Sequence, residues 1–193
     1  SAGDGAGGET DADDGELADG LGVSVWYDAY CYNVKDTTES SGDPVSVELV
    51  LDAYGSMSDP TQGGSSTKNA DAVAGATTLA QSILDADPNN LVGVTYFGEF
   101  SSDGPARVVQ SLTDDEAAVL GAIGGLPTEN GTPIGAGVDV GQSDLAADTS
   151  SNDPIMIFLT DGNGSGGPTE AAAAKSAGTR IITIAYGTNA DTA

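Results

Sequence analysis

Four short apolar runs constrain this chain most: VSVELVL at 45–51, LVGVTYF at 91–97, PIMIFLT at 154–160 and RIITIA at 180–185. Nearly continuous apolar runs of this length, rich in Val and Ile, read as strands buried on both faces, which is the habit of parallel sheets. Helical patterns lie between them. Within 69–84, Ala72, Val73, Ala76, Leu79, Ala80, Ile83 and Leu84 recur at helical spacing. Thr113, with Glu116 three residues on, reads as a capping box opening a helix to about Ile123. Asn130-Gly131-Thr132-Pro133 opens another, with Pro at its first helical position, running to about Ala147. Residues 168–177 make an Ala-rich helix, and 106–112 a shorter strand expected at a sheet edge. Strands alternating with helices define an α/β domain around a mostly parallel sheet.

Composition pulls the other way. Val, Leu, Ile and Phe number 37 of 193 residues, and 5 Lys plus Arg against 30 Asp plus Glu leave a formal charge of −25. Fewer than about 20% of those four residues, with high net charge, is a mark of disorder. The conflict disappears if the acids form a surface coat. They are mostly Asp, 22 against 8 Glu, and are spread along the whole chain. Such a surface repels itself at ordinary ionic strength. At about 1 M salt the Debye length falls to about 3 Å and the repulsion is screened. The composition resembles that of proteins from halophilic archaea. The rival readings are a calcium-bathed extracellular protein and an acidic disordered chain.

The same numbers exclude several functions. The charge has the wrong sign for nucleic acid or an anionic membrane. No apolar run approaches the roughly 18 residues of a membrane span. With no His and one Cys there is no His-based triad, zinc-finger spacing or internal disulfide framework. Without His no nucleophile–base pair can be named, so a non-enzymatic role is expected. Cys31 reads as a small core-facing residue, with an intermolecular disulfide as the other reading.

Three segments follow from these shifts in character. Residues 1–20 are a flexible acidic lead-in. Residues 21–44 hold an aromatic, period-two strand, LGVSVWYDAYCYNV, and a polar linker. Residues 45–193 are the α/β domain.

In open α/β sheets, ligands sit beyond the carboxyl ends of the strands at a topological switch point. Two of the apolar strands here run into an Asp. The first leads to Asp52, then Ala53-Tyr54-Gly55-Ser56-Met57; the later one leads to Asp161, then Gly162-Asn163-Gly164. Thr132 stands at a helix entry between them. If those strands are neighbours, Asp52, Ser56, Thr132 and Asp161 converge, and oxygen donors suit a hard cation such as Mg²⁺. The order Asp-x-x-Gly-Ser-Met, Gly-Thr-Pro-Ile-Gly, Leu-Thr-Asp-Gly resembles the von Willebrand factor A domain and its metal-ion-dependent adhesion site, over roughly 45–185. The resemblance implies a Rossmann-like, doubly wound sheet. It also implies a metal, Mg²⁺ or else Mn²⁺ or Ca²⁺, held by Asp52, Ser56, Thr132 and Asp161 and completed by a protein partner's carboxylate.

One position departs from that pattern: Tyr54 stands where the motif has its first Ser. A phenol oxygen lies several ångströms further from the backbone, so either the ring swings outward and water replaces it, or the ring covers the site. The degenerate alternative is a sheet-end network in which both Asp only cap loop amides. A second departure is the short tail after 185, too short for the family's closing helix, which suggests a fragment. Gly15-Glu16-Leu17-Ala18-Asp19, Val25-Trp26-Tyr27-Asp28 and Asn33-Val34 further resemble the opening of camelysin/TasA-type fibre proteins. That makes 21–34 either part of a β-sandwich or an extra edge strand, and a candidate for pairing between chains.

The function expected from all this is an extracellular adhesion or protein-interaction module. The alternative is a structural subunit of a surface fibre or pilus, assembled from identical subunits by strand exchange. A third class is a partner of a chelatase-like ATPase assembly.

Overall fold

The computed structural model describes residues 43–61, 66–100, 104–161, 164 and 166–185. The lead-in 1–20, the aromatic strand with Cys31 and the tail after 185 lie outside the described residues. Five strands form one sheet: β1 (Val45–Asp52), β2 (Leu91–Phe100), β3 (Gly104–Thr113), β4 (Asp153–Thr160) and β5 (Arg180–Ala185). Their spatial order is β3-β2-β1-β4-β5. β1 pairs in parallel with both β2 and β4, and β4 with β5, while β3 runs antiparallel at the edge. The fold is the expected mostly parallel, doubly wound α/β architecture.

Side-chain parity explains why the strands read as continuous apolar runs. In β1, Val47, Leu49 and Leu51 pack with Ala76 and Ala80 of α1 (Lys68–Ala86) and Val119 and Ile123 of α2 (Glu116–Gly124). Val50 faces the other way, with Phe97, Met156 and Phe158, against Val138 and Leu145 of α3 (Ile134–Ala147) and Ala174 of α4 (Pro168–Ser176). Helices cover both faces, so both parities must be apolar. Glycines let α3 lie close: a Cβ on Gly141 would stand 2.9 Å from Val50 Cγ2, and one on Gly137 3.0 Å from the Phe97 ring.

Three local expectations need correction. β3 spans ten residues, as long as β2. Thr113 is not the helix cap. It is still paired with Val92 in the sheet, so its backbone belongs to β3. Asp115 caps instead, accepting from Ala118 N at 3.1 Å, while Thr113 Oγ1 accepts from Asp115 N at 3.1 Å. Pro133 sits at the cap of α3, one residue before its first turn.

Glu48 is an acidic residue within the core. It lies at mid-β1 on the α3 face and is fully buried. Its Oε1 accepts from Thr95 Oγ1 at 2.6 Å. Its Oε2 has no donor among the described residues; both that oxygen and Asp144 Oδ2 crowd the space that a side chain at Gly93 would fill. Burial pushes the Glu48 carboxyl well above its ordinary range; the Thr95 hydrogen bond opposes this and the Asp144 charge adds to it. The native state therefore holds a proton that the unfolded chain releases near the ordinary glutamate value of about 4.3. Stability is full below that pH and falls as pH rises toward the native pKa, by about 1.4 kcal/mol per unit. Glu48→Gln keeps an acceptor for Thr95 and supplies an N–H donor for Asp144. Urea unfolding is expected to show the variant more stable than the parent near neutral pH by about 1–2 kcal/mol, with a flatter pH profile.

Candidate metal centre

β1 is where the strand order reverses: the chain leaves it toward β2 and later returns to its other side as β4. Asp52 ends β1 and Asp161 follows β4, and the two strands are neighbours, with Leu51 opposite Leu159. The two carboxylates expected to converge are thus placed side by side at the switch point. Both are buried, each 1% exposed.

Three loops meet there. After Asp52 the chain makes a short 3-10 turn, Gly55–Ser58, whose Met57 packs fully buried beneath it. The segment before α3 is tied to the strand ends by backbone bonds: Glu129 N donates to Ala53 O, and Glu99 N to Asn130 O. Gly131 has φ +65, and a Cβ there would overlap Glu99, so glycine is required at this bend. Gly164 lies against Thr132, where a Cβ would stand 2.8 Å from the Thr132 carbonyl oxygen.

The hydrogen bonds show what the carboxylates do. Asp52 Oδ1 accepts from Tyr54 N at 2.9 Å and Oδ2 from Thr160 Oγ1 at 2.7 Å. Burial raises the Asp52 carboxyl above its ordinary value despite those two bonds, and the neighbouring Asp161 adds to the rise. Asp161 Oδ2 accepts from Ser56 Oγ and from Lys68 Nζ, the latter at 3.0 Å. Thr132 is half-buried in the adjoining loop. Among the described residues no hydrogen bond ties its hydroxyl to either carboxylate. Tyr54 occupies the first Ser position, half-buried and bridged to Glu129.

The structure therefore brings Asp52, Ser56 and Asp161 together and sets the Thr132 loop beside them. Two further participants, Thr160 and Lys68, are not evident from sequence motifs. Thr160 shares the face of Phe158 by strand parity, so a hydroxyl at the strand end could have been anticipated. Lys68 opens α1, where the helix dipole disfavours a cation by about 0.3–1 kcal/mol; that mismatch was its only sequence signal. Among the described residues no group of three or more His, Cys, Asp and Glu is arranged to hold a metal. The donor set is instead two carboxylates with hydroxyls, which is the chemistry of a hard cation. The ammonium of Lys68, drawn onto buried Asp161, shows that the cluster accepts positive charge.

Fold and site together define a doubly wound α/β domain with an oxygen-donor centre at its switch point. The chain belongs to the von Willebrand factor type A domain family, which it matches over residues 47–164. Solved structures agree in fold. An aerotolerance-related membrane protein from Bacteroides fragilis is similar with a TM-score of 0.59 at 20% identity, over 74% of this chain and 67% of that one. The pilus adhesin SpaC from Lactobacillus rhamnosus GG gives 0.59 at 22%, over 75% of this chain but 24% of the adhesin. The PilB minor pilin from Streptococcus sanguinis gives 0.53 at 18%, over 62% and 30%. No curated protein matches the sequence. Among the described residues no helix is long and apolar enough to cross a membrane.

Proposed function

We propose that this chain is a non-catalytic adhesion or protein-interaction module of a cell surface, suited to molar salt. It engages a partner's carboxylate through a divalent cation, Mg²⁺ or else Mn²⁺ or Ca²⁺. Asp52, Ser56, Thr132 and Asp161 would hold the cation. A bound cation offers a partner carboxylate a coordination position that two buried acids alone would repel.

The observation that carries this reading is the pair of buried carboxylates at adjacent strand ends, with the Ser56 hydroxyl on one of them. The remaining residues act as supports. Thr160 and the Tyr54 amide orient Asp52, and the two backbone bonds of the 129–130 segment fix the Thr132 loop against the sheet. Similarity in fold to a pilus adhesin and a minor pilin supports a surface role. It equally supports the second reading, a subunit of a surface fibre, for which filaments in electron micrographs of the native protein are the test.

Tyr54 weakens the site by removing a short hydroxyl ligand. Calorimetric titration of Mn²⁺ in molar KCl is expected to give saturable heat for the parent chain. Tyr54→Ser should bind about tenfold more tightly, a gain of about 1.4 kcal/mol. Absence of heat from both proteins contradicts the metal reading.

A further inference from the structure

We propose that Lys68 is a tethered competitor for the divalent cation: its ammonium holds Asp161 in the metal-free state and must withdraw for metal to bind. The inference rests on the metal reading above and concerns how that site is controlled.

The ion pair is built rather than incidental. Lys68 is one of five cations in a chain with 30 acids, yet it opens a helix, at the end where the dipole favours anions. Ordinary first-turn chemistry is already supplied by the Thr67 cap, which accepts from Ala70 N at 3.2 Å, and by Asp71. The start of α1 is held in place from the site side. Lys68 N donates to Asp59 O at 3.0 Å, Thr61 N to Ser66 O at 3.0 Å, and Pro60 bridges Thr67. These bonds link α1 to the end of the 3-10 turn that carries Ser56. The ammonium then reaches Asp161 Oδ2 at 3.0 Å, the same oxygen that accepts from Ser56.

Competition follows from charge and space. The Oδ2 atom already serves two donors, one of them fully charged. An ammonium and a divalent ion on one carboxylate oxygen repel strongly in a site this dry. The Lys68 side chain is 16% exposed whereas Asp161 is 1% exposed. The lysine therefore has a route to solvent along a flexible stem, and the carboxylate does not. Without metal, the ammonium also spares the domain two facing anions. A site of this kind stays folded when empty and releases a positive charge to solvent when loaded.

The test is Mn²⁺ titration of the whole chain by calorimetry in molar KCl, comparing the parent with Lys68→Met and Lys68→Arg. Lys68→Met is expected to bind at least tenfold more tightly, and Lys68→Arg, which keeps the charge, about as the parent does. Equal affinity in the parent and Lys68→Met overturns the competition and leaves the metal reading standing. Absence of binding in all three overturns both. Should Lys68→Met fail to fold, carbon-13 correlations of the three lysines in the parent chain decide. One lysine Cε signal moving as Mg²⁺ saturates the site supports withdrawal; three unmoved signals overturn it.

Discussion

Raising KCl from about 0.1 M to about 1 M is expected to stabilise this chain by on the order of 3 kcal/mol. The effect comes from the acid excess of the α/β domain: residues 45–193 hold 19 Asp plus Glu against 4 Lys plus Arg, which is −15 of the chain's formal charge of −25. Two like charges 10 Å apart in water repel by about 0.4 kcal/mol when unscreened, and a folded domain with such an excess holds many pairs at that range. Unfolding spreads them apart. Over this salt range the Debye length shrinks from about 10 Å to about 3 Å, so the term largely vanishes. The expected signature is a melting temperature that climbs with KCl and then levels off. KCl is the salt to use, because sulfate strengthens apolar burial by itself. A melting temperature independent of KCl contradicts the screening argument.

Phe97→Ala is the other large effect. Phe97 is fully buried, and its ring lies 4.7 Å from that of Phe158, centroid to centroid. Gly137 of α3 packs directly on it. Removal leaves a cavity between the sheet and α3 where little can collapse, because α3 already lies in close contact through Gly137 and Gly141. The expected loss is about 3–5 kcal/mol, read as a drop in melting temperature of about 10 °C or more. The site should loosen too. Phe97 is the register partner of Asp52, and its carbonyl accepts from Ala53 N at 2.9 Å. Mn²⁺ affinity is therefore expected to fall with stability. A variant that loses less than about 1 kcal/mol would show that α3 is not seated on this ring.

Much of this was legible in the sequence, for physical reasons. The parallel strands read out because both faces are covered by helices, so every position between Leu49 and Leu51 is apolar. The carboxylates read out because a strand that is apolar to its last residue and then turns to Asp announces its carboxyl end. Other features depend on tertiary placement. Glu48 sits inside a run that is otherwise nearly all apolar, and the hydroxyl that it meets there, Thr95 Oγ1, comes from the neighbouring strand, while the Asp144 charge that adds to its burial penalty comes from α3. Thr113 has the spacing of a cap, but pairing with β2 claims its backbone and passes the role to Asp115. Lys68 lies 93 residues from Asp161, and no local pattern links them.

The central claim is that a cation belongs among Asp52, Ser56, Thr132 and Asp161. Anomalous diffraction at the manganese edge, from crystals of the parent chain grown in KCl and soaked in Mn²⁺, tests it most directly. The expected result is an anomalous peak within ligand distance of Asp161 and Ser56, with the Lys68 ammonium displaced from Asp161. Peaks confined to exposed surface carboxylates, with Lys68 still bound to Asp161, would contradict it.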